Sequence, residues 1–305
     1  MNQIAPPTLS RRHLLQTAGL ATAAVLAGCA PSHHPLISPA TTLPSKSIHR
    51  ILTCNILFDL PEQKGTPFNW AAGRRTICLN LIRSRRPDIV CMQEVGRIQN
   101  DDFTRAFTDF VSFGYVDPYV DKRPIRFQSI KNVILFSKQR YDLISAGTYW
   151  LSLTPQVPGS RLPGEGLPRH LTWLRLRDRH TSQQFRVANT HWGLKQPTRL
   201  QEAPMIAAET QVYSPDFPQL LCGDFNSDST SPEHQILHHA GWQDTYAPLH
   251  GTSQDHPSST THPAPRHRID YIYSRGPVKP LAAEIFRPQG PPASDHPFVS
   301  ADIEI

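Results

Sequence analysis

Short apolar runs alternate with polar, proline-rich stretches along most of this chain, a pattern that predicts β-strands. The runs cover residues 49–58, 88–93, 132–136, 171–176, 185–190, 219–222, 269–273 and 298–303. Apolar residues at helical spacing instead predict helices over 70–84, 102–110, 199–212 and 233–240. Strands outnumber helices and the two are interspersed, which predicts an α/β or α+β sandwich with helices outside packed sheets.

The first 47 residues differ from the rest in composition. Residues 10–16 contain a paired arginine followed by leucines, which resembles a twin-arginine export signal, and a soft apolar stretch follows. Leu26-Ala27-Gly28-Cys29 then resembles the lipobox of bacterial lipoproteins. We therefore predict an export signal over 1–28, lipidation of Cys29, a flexible tether over 29–47 and one domain over 48–305. The protein is expected at the periplasmic side of a bacterial membrane or cell envelope.

Charge and cysteine content narrow the function only slightly. The formal charge is +6, and two of the positive charges are leader arginines, which leaves +4. That balance permits an anionic partner but does not indicate nucleic acid. Of the five cysteines, none shows the CxxC spacing of zinc or redox motifs. Cys54, Cys91 and Cys222 lie inside apolar runs and are predicted to be small buried side chains.

The run Leu220-Leu221-Cys222 ends in Gly223-Asp224-Phe225-Asn226. In an extended backbone Asp224 and Asn226 share a face, and a carboxylate at the end of a buried strand is costly without a partner. The segment alone is equally consistent with a turn. Other apolar runs also border polar residues suited to catalysis, namely Asn55, Glu94, His191, Asp270 and the pair Asp295-His296. Loops at strand ends are where sites are usually built, so their recurrence favours a site.

These six segments, in this order, resemble the endonuclease/exonuclease/phosphatase family over about residues 49–303. The elements that carry the resemblance are Gln-Glu at 93–94, Gly-Asp-Phe-Asn at 223–226, Arg-Ile-Asp-Tyr at 268–271 and Ser-Asp-His at 294–296. The resemblance implies a four-layer α/β sandwich, two packed mixed β-sheets flanked by helices, with the site at one edge. It also implies hydrolysis of phosphate esters with a divalent cation.

The acidic residues make chemical sense beside such a cation. Unscreened carboxylates would repel an anionic phosphate ester, and a hard cation removes that conflict. Carboxylate and amide oxygens suit Mg²⁺ or Mn²⁺ better than zinc. The resemblance implies that Glu94 and Asp295 hold the metal, with Asn55 in or next to that shell.

The remaining residues receive roles from the same resemblance. Asp224 would orient or deprotonate the attacking water, and Asn226 would fix the geometry of attack or contact the phosphate. His296 would donate a hydrogen bond to a phosphoryl oxygen while Asp270 sets its tautomer. His191 would be a second donor to the phosphate.

Three further features are expected near the predicted site. Arg169 follows a Leu-Pro pair typical of the small bacterial hydrolase branch and is a candidate phosphate ligand. The basic stretch 121–126 replaces an acidic loop and would favour a multiply charged substrate. Trp192 is open to two interpretations, a platform that stacks a base or sugar, or a packing residue.

These observations predict a monomeric, metal-dependent phosphoric ester hydrolase, foremost a phosphodiesterase that uses a metal- and Asp-activated water. One alternative is an exported nuclease that acts on DNA or RNA. A second is a non-catalytic envelope lipoprotein that binds an anion on the same scaffold, because a fold alone does not secure a function.

Overall fold

The computed structural model describes residues 45–114, 131–251 and 268–305. The predicted export signal with Cys29, most of the predicted tether and the 121–126 stretch lie outside these residues. In chain order, the elements are β1 (Ile48–Asn55), α1 (Arg75–Ser84), β2 (Ile89–Val95), α2 (Arg97–Ala106), β3 (Phe110–Phe113), β4 (Lys131–Ser137), β5 (Tyr141–Trp150), β6 (His170–Asp178), β7 (Gln184–His191), α3 (Gln196–Thr210), β8 (Gln219–Asp224), α4 (Pro232–His239), β9 (Gln243–Asp244), α5 (Ala247–His250), β10 (Asp270–Arg275), β11 (Lys279–Phe286) and β12 (Phe298–Glu304). A short 3₁₀ turn, Pro61–Gln63, and a π turn, Trp70–Arg74, precede α1.

The described strands form two six-stranded sheets. The first has the order β11-β12-β1-β2-β4-β3, and the second has the order β5-β6-β7-β8-β10-β9. Each contains one parallel pair, β1 with β2 in the first sheet and β7 with β8 in the second, among antiparallel neighbours. Both sheets are therefore mixed, as predicted.

Three apolar clusters separate the layers. Ile51 and Val187 belong to the cluster between the two sheets. Leu52 and Ile82 belong to the cluster under α1 and α2 on the first sheet. A third cluster, which includes Ile206, lies between the second sheet and the helices α3 and α4. The order helix, sheet, sheet, helix confirms the predicted four-layer α/β sandwich.

Most predicted elements are present, with two kinds of difference. The helix predicted over 102–110 is α2, and it begins earlier, where Gln99 Oε1 accepts a hydrogen bond from the N–H of Gly96 at 2.9 Å. Residues 110–113 belong instead to β3. Strands β3, β5, β9 and β11 were not predicted. β5 and β11 are edge strands with largely half-exposed side chains, so their apolar periodicity is weak.

The cysteines of the described residues are free and buried, which confirms the prediction for Cys54, Cys91 and Cys222. Burial raises the pKa of the Cys54 thiol well above its usual value, as expected for an inert packing residue. None of the helices in the described ranges is long and apolar enough to cross a membrane.

Candidate active site

The topology of the first sheet brings three predicted residues to one edge. Because β1 and β2 are parallel, their ends coincide, and Asn55 lies opposite Gln93. Glu94 follows directly. β12 runs antiparallel to β1 with Thr53 opposite Val299, so His296, just before β12, lies beside the end of β1.

The second sheet brings further predicted residues to the same edge, again because two of its neighbouring strands are parallel. β7 and β8 are parallel, and His191 lies opposite Asp224. β10 runs antiparallel to β8, which places its first residue, Asp270, opposite Asp224. Gly223 is required here, since a Cβ at that position would collide with the carbonyl oxygen of Thr190 on β7. The glycine lets the two strands approach closely just before Asp224.

Asn55 connects the two sheets at the site. Its Nδ2 donates to Glu94 Oε1 at 3.1 Å and to Asp224 Oδ2 at 3.0 Å. Its Oδ1 accepts the N–H of Leu57 at 3.0 Å. The side chain is 1% exposed. Asn55 therefore lies beside the predicted metal carboxylate, and it presents its N–H group to two carboxylates rather than its oxygen to the space between them.

Glu94 is held in an unusual backbone conformation. Its φ is +60°, and the register between β2 and β4 shifts between Met92 and Val95, which marks a β-bulge. The N–H of Phe58 donates to Glu94 Oε2 at 3.0 Å. Burial, with a further contribution from the nearby charge of Asp295, raises the pKa of the Glu94 carboxyl above its ordinary value. A cation at this position would relieve that cost.

Asn226 is fixed from two sides. Its φ is +50°, its N–H donates to Asp224 Oδ1 at 2.9 Å, and its Nδ2 donates to the carbonyl of Trp192 at 2.8 Å. The N–H of Trp192 in turn donates to the Asp224 carbonyl at 2.9 Å. The Trp192 ring is fully buried and packs against Phe225 with centroids 4.8 Å apart. The packing interpretation of Trp192 is thus confirmed, and stacking of a base on it is excluded.

His296 lies between two carboxylates. Its Nδ1 is 2.9 Å from Asp270 Oδ2, and its Nε2 is 3.8 Å from Asp224 Oδ2. Burial alone would lower the pKa of His296, but the charge and hydrogen bond of Asp270 raise it to about 10. Burial and the neighbouring Asp270 raise the pKa of Asp224 to about 6. The predicted pairing of Asp270 with His296 is therefore present in the structure.

The segment that carries His296 is attached to the end of β1. Ser294 Oγ donates to the carbonyl of Asn55 at 2.6 Å, and it also lies 3.1 Å from Asp295 Oδ1. The N–H of His296 donates to Ser294 Oγ at 3.2 Å. Ser294 thus holds the Asp295-His296 pair in place against the first sheet.

Arg169 is the positively charged neighbour of His191 at the site. His191 Nε2 is 3.5 Å from Asp224 Oδ2, and its buried Nδ1 has no hydrogen-bond partner among the described residues. Burial, together with the charge of Arg169, lowers the pKa of His191 well below its usual value. Arg169 is 6% exposed, and its Nε also lacks a partner in the described part of the chain. A buried guanidinium N–H without an acceptor is costly, and an anion beside it would supply one.

Comparison with known proteins identifies the scaffold. The sequence profile of the Endonuclease/Exonuclease/phosphatase family matches residues 52–296. The chain belongs to this family. It is 26% identical over 185 residues to the uncharacterized protein L388 of Acanthamoeba polyphaga mimivirus, a match that covers 59% of this chain and 67% of that protein.

Solved structures share the same fold. The mannosyl-6-phosphatase Bt3783 of Bacteroides thetaiotaomicron superposes with a TM-score of 0.70 at 19% identity, over 84% of this chain and 99% of that one. D. rerio TDP2, solved with a single-strand DNA product, gives a TM-score of 0.64 at 16% identity, over 84% and 99% of the two chains. At these identities the likeness establishes the phosphoesterase fold of the family and nothing finer.

The donor set of this family member fits a hard divalent cation. Glu94 and Asp295 are close enough that the charge of Asp295 contributes to the raised pKa of Glu94. Oxygen-rich clusters of this kind suit Mg²⁺ or Mn²⁺. Within the described residues, ligand atoms of Asp224, Asp270 and His296 also lie within 4.8 Å of one another. His296 Nδ1 already bonds Asp270 there, which favours a hydrogen-bonded relay over a second metal position.

Two supports of the site were not predicted. Gln93 Nε2 donates to Asn189 Oδ1 at 2.7 Å, and Asn189 Nδ2 donates to the carbonyls of Met92 and Val133 at 2.9 and 3.0 Å. This buried bridge joins the two sheets beneath the site. Gln93 stands in the Gln-Glu element, but its partner comes from the other sheet, and no local signal in the sequence indicates the pairing.

The second support comes from α3. Glu202 Oε2 accepts the N–H of Gly193 at 2.8 Å, and Arg199 Nη1 donates to the carbonyls of Leu194 and Gly193 at 2.7 and 3.3 Å. Arg199 Nε also pairs with Glu233 Oε1 at 2.5 Å. The turn that follows His191 and Trp192 is therefore held from the helix layer.

Proposed function

We propose that this chain is a divalent-metal-dependent hydrolase of phosphate esters, foremost a phosphodiesterase. The observation that carries the proposal is the bridge made by Asn55, whose Nδ2 joins Glu94 at 3.1 Å and Asp224 at 3.0 Å. Glu94, the proposed metal ligand, and Asp224, the proposed acceptor of the water proton, are therefore neighbours. Family members of known structure use this scaffold for phosphate esters, one being a mannosyl-6-phosphatase.

Different residues of the chain take different roles in the proposed reaction. Asp224 has an acceptor oxygen directed at His191 and His296 and a raised pKa of about 6, which suits a group that takes a proton from water near neutral pH. Protonated His296, held by Asp270, donates to a phosphoryl oxygen and stabilises charge that develops there. A bound Mg²⁺ or Mn²⁺ would be held by Glu94 and Asp295 and would neutralise the phosphate and polarise the reacting oxygen.

Arg169 completes the phosphate site. Its buried Nε has no acceptor among the described residues, and its charge contributes to the lowered pKa of His191. A phosphoryl group satisfies a guanidinium through two oxygens at once. The buried Nδ1 of His191, which has no hydrogen-bond partner among the described residues, is a second group that the phosphate would satisfy.

The test uses bis-p-nitrophenyl phosphate and the protein from about residue 48. We expect hydrolysis that requires Mg²⁺ or Mn²⁺ and is lost in Asp224→Ala and His296→Ala, with each variant still folded. Asp178→Ala is the matched control, because Asp178 is equally buried but lies at the last residue of β6, the opposite end of the strand from the site. Full activity in excess chelator contradicts the proposal, as does equal loss in the control.

A nuclease is the second candidate, since TDP2 with its DNA product has this fold. Nicking of plasmid at low salt, with a steep loss of affinity as salt rises, would favour it because phosphate contacts release counterions. Calorimetric binding of phosphate with no turnover under any divalent ion would favour the non-catalytic lipoprotein instead.

We also propose that the protein acts as a monomer, exported and anchored through a lipid on Cys29. Export is supported by the paired arginine, and the lipid anchor is supported by the Leu-Ala-Gly-Cys segment at 26–29. Cys29→Ala should move the protein from the membrane fraction to the soluble periplasmic fraction, and an unchanged distribution would contradict the anchor.

A further inference from the structure

The connection between β11 and β12 forms a cavity beside the catalytic histidine. The cavity has a volume of about 180 Å³. Its walls include Arg287, Pro288, Gly290, Pro292, His296 and Pro297. This connection also carries Ser294 and Asp295, so the cavity and the site are built from one stretch of chain.

The wall that the cavity shares with the site is fixed in position. His296 is held by Asp270 at 2.9 Å, and Ser294 Oγ bonds the carbonyl of Asn55 at 2.6 Å. His296 therefore belongs both to the cavity wall and to the candidate site, and the two adjoin at this residue. Pro292 is half-buried and Pro297 is buried, so these walls do not depend on the mobile end of a long side chain.

The cavity's chemistry and size limit what it can hold. Proline has a fixed φ and no N–H, so the three prolines form rigid, apolar parts of the wall, and Arg287, Ser294 and His296 add polar groups. A cavity of about 150 Å³ is known to hold one benzene ring. A nucleic-acid strand instead needs an open groove that follows successive phosphates. The described cavity is suited to one ring.

We propose that this cavity binds the ester substituent of the substrate and selects a single-ring group, a sugar or an aryl ring. The inference rests on the proposed phosphoesterase function and deepens it by naming the substrate class. The substrate is then a compact phosphate ester rather than a polymer.

Phosphonates test this directly because each carries one substituent and is not hydrolysed. We expect phenylphosphonate to inhibit hydrolysis of bis-p-nitrophenyl phosphate at least about tenfold more tightly than methylphosphonate, and naphthylphosphonate to gain nothing further. Pro292→Trp, which fills the cavity, should remove the advantage of the phenyl group while methylphosphonate inhibits within about twofold of its original strength. Equal inhibition by the phenyl and methyl compounds, or a further gain with naphthyl, overturns the proposal.

Variants and a binding measurement separate the possible failures. Pro288→Trp fills the same cavity from another wall and replaces Pro292→Trp if that variant does not fold. Pro232→Trp, an exposed proline at the start of α4 outside the cavity, should change neither inhibitor. Calorimetry with the same phosphonates gives the preference without turnover. A phenyl preference in a protein that hydrolyses nothing supports the cavity proposal and refutes the proposed function. Hydrolysis without a phenyl preference supports the proposed function and refutes the cavity proposal.

Discussion

Arg199 offers a way to test how the helix layer controls the site. Its guanidinium pairs with Glu233 at 2.5 Å and donates to the carbonyl of Leu194 at 2.7 Å. Glu202 holds the other side of this turn through the N–H of Gly193. We expect Arg199→Lys to keep the charge opposite Glu233 but to lose the fork that reaches the turn.

The cost to stability is moderate. Two hydrogen bonds to carbonyls are lost, each with a net contribution of about 0.5–1.5 kcal/mol, which gives about 1–3 kcal/mol in total. Domains of this kind have a free energy of unfolding of about 5–15 kcal/mol. The variant should therefore fold, with a measurably lower midpoint in chemical unfolding.

The cost to activity follows a different route. The Trp192 carbonyl adjoins the loosened turn and accepts the hydrogen bond from Asn226 Nδ2 at 2.8 Å. A displacement of about 1 Å in a positioning group can cost about a hundredfold in rate. We expect kcat for bis-p-nitrophenyl phosphate to fall at least about tenfold in Arg199→Lys, with KM changed far less.

Arg186 provides the matched control. It is also a buried arginine, and it pairs at 2.6 Å with Glu209 of α3, the helix that carries Arg199, but it lies on β7 rather than beside the 193–194 turn. Arg186→Lys should lose comparable stability and keep its kcat. If both variants lose activity in proportion to stability, or if Arg199→Lys keeps full kcat, the coupling through the turn is wrong.

Three further predictions address the metal, the phosphate and the dependence on pH. Glu94→Gln keeps one of the two acceptor oxygens that Asn55 and Phe58 use and removes a metal-side charge. Half-maximal activity should therefore require at least about tenfold more Mg²⁺, and an unchanged metal titration would contradict the assignment. Arg169→Met should raise KM at least about tenfold, since a charge-assisted bond is worth about 1.5–3 kcal/mol. The melting temperature should hold or rise, because the buried Nε that lacks an acceptor among the described residues is removed; an unaltered KM would refute this role. Burial lowers the pKa of His49 to about 3, against 6.5 when exposed, so its contribution to stability is complete above pH 6.5 and is lost as pH falls, at up to about 1.4 kcal/mol per pH unit. In urea unfolding between about pH 7 and pH 4, the free energy of unfolding should therefore fall less steeply with pH in His49→Gln than in the unmodified protein. An equal slope in the two proteins would count against this role.

The sequence predicts the residues of the candidate site better than it predicts the edge strands of the two sheets. Asp224, His191 and Asp270 are recognisable because each borders an apolar run that is buried in the interior of a sheet. β11 was missed because it lies at the edge of the first sheet, where Pro280 and half-exposed side chains leave no clear alternation. The pattern of apolar residues reports burial, and an edge strand has little of it.

The supports of the site are harder to predict than the site itself. Gln93 and Asn189 are far apart in sequence and belong to different sheets, yet they meet at 2.7 Å. Arg199 and Glu202 look like ordinary polar residues of a surface helix until the turn at Gly193 is placed against them. Such contacts depend on how layers pack, and no periodicity within one element encodes that relation.

Backbone strain shows why these supports matter for function. Among the described non-glycine residues with positive φ are Leu57, Glu94 and Asn226, all at the site. Such conformations cost about 1–3 kcal/mol each and persist where surrounding contacts enforce them. Glu94 is held by Asn55 and by the Phe58 N–H, and Asn226 by Asp224 and the Trp192 carbonyl. Because the strained groups are tied to two packed sheets and to each other, the sandwich fixes the polar groups before a substrate arrives. Electrostatic preorganisation of this kind requires rigid strand ends more than moving loops, and this is what the convergence of six strand ends provides.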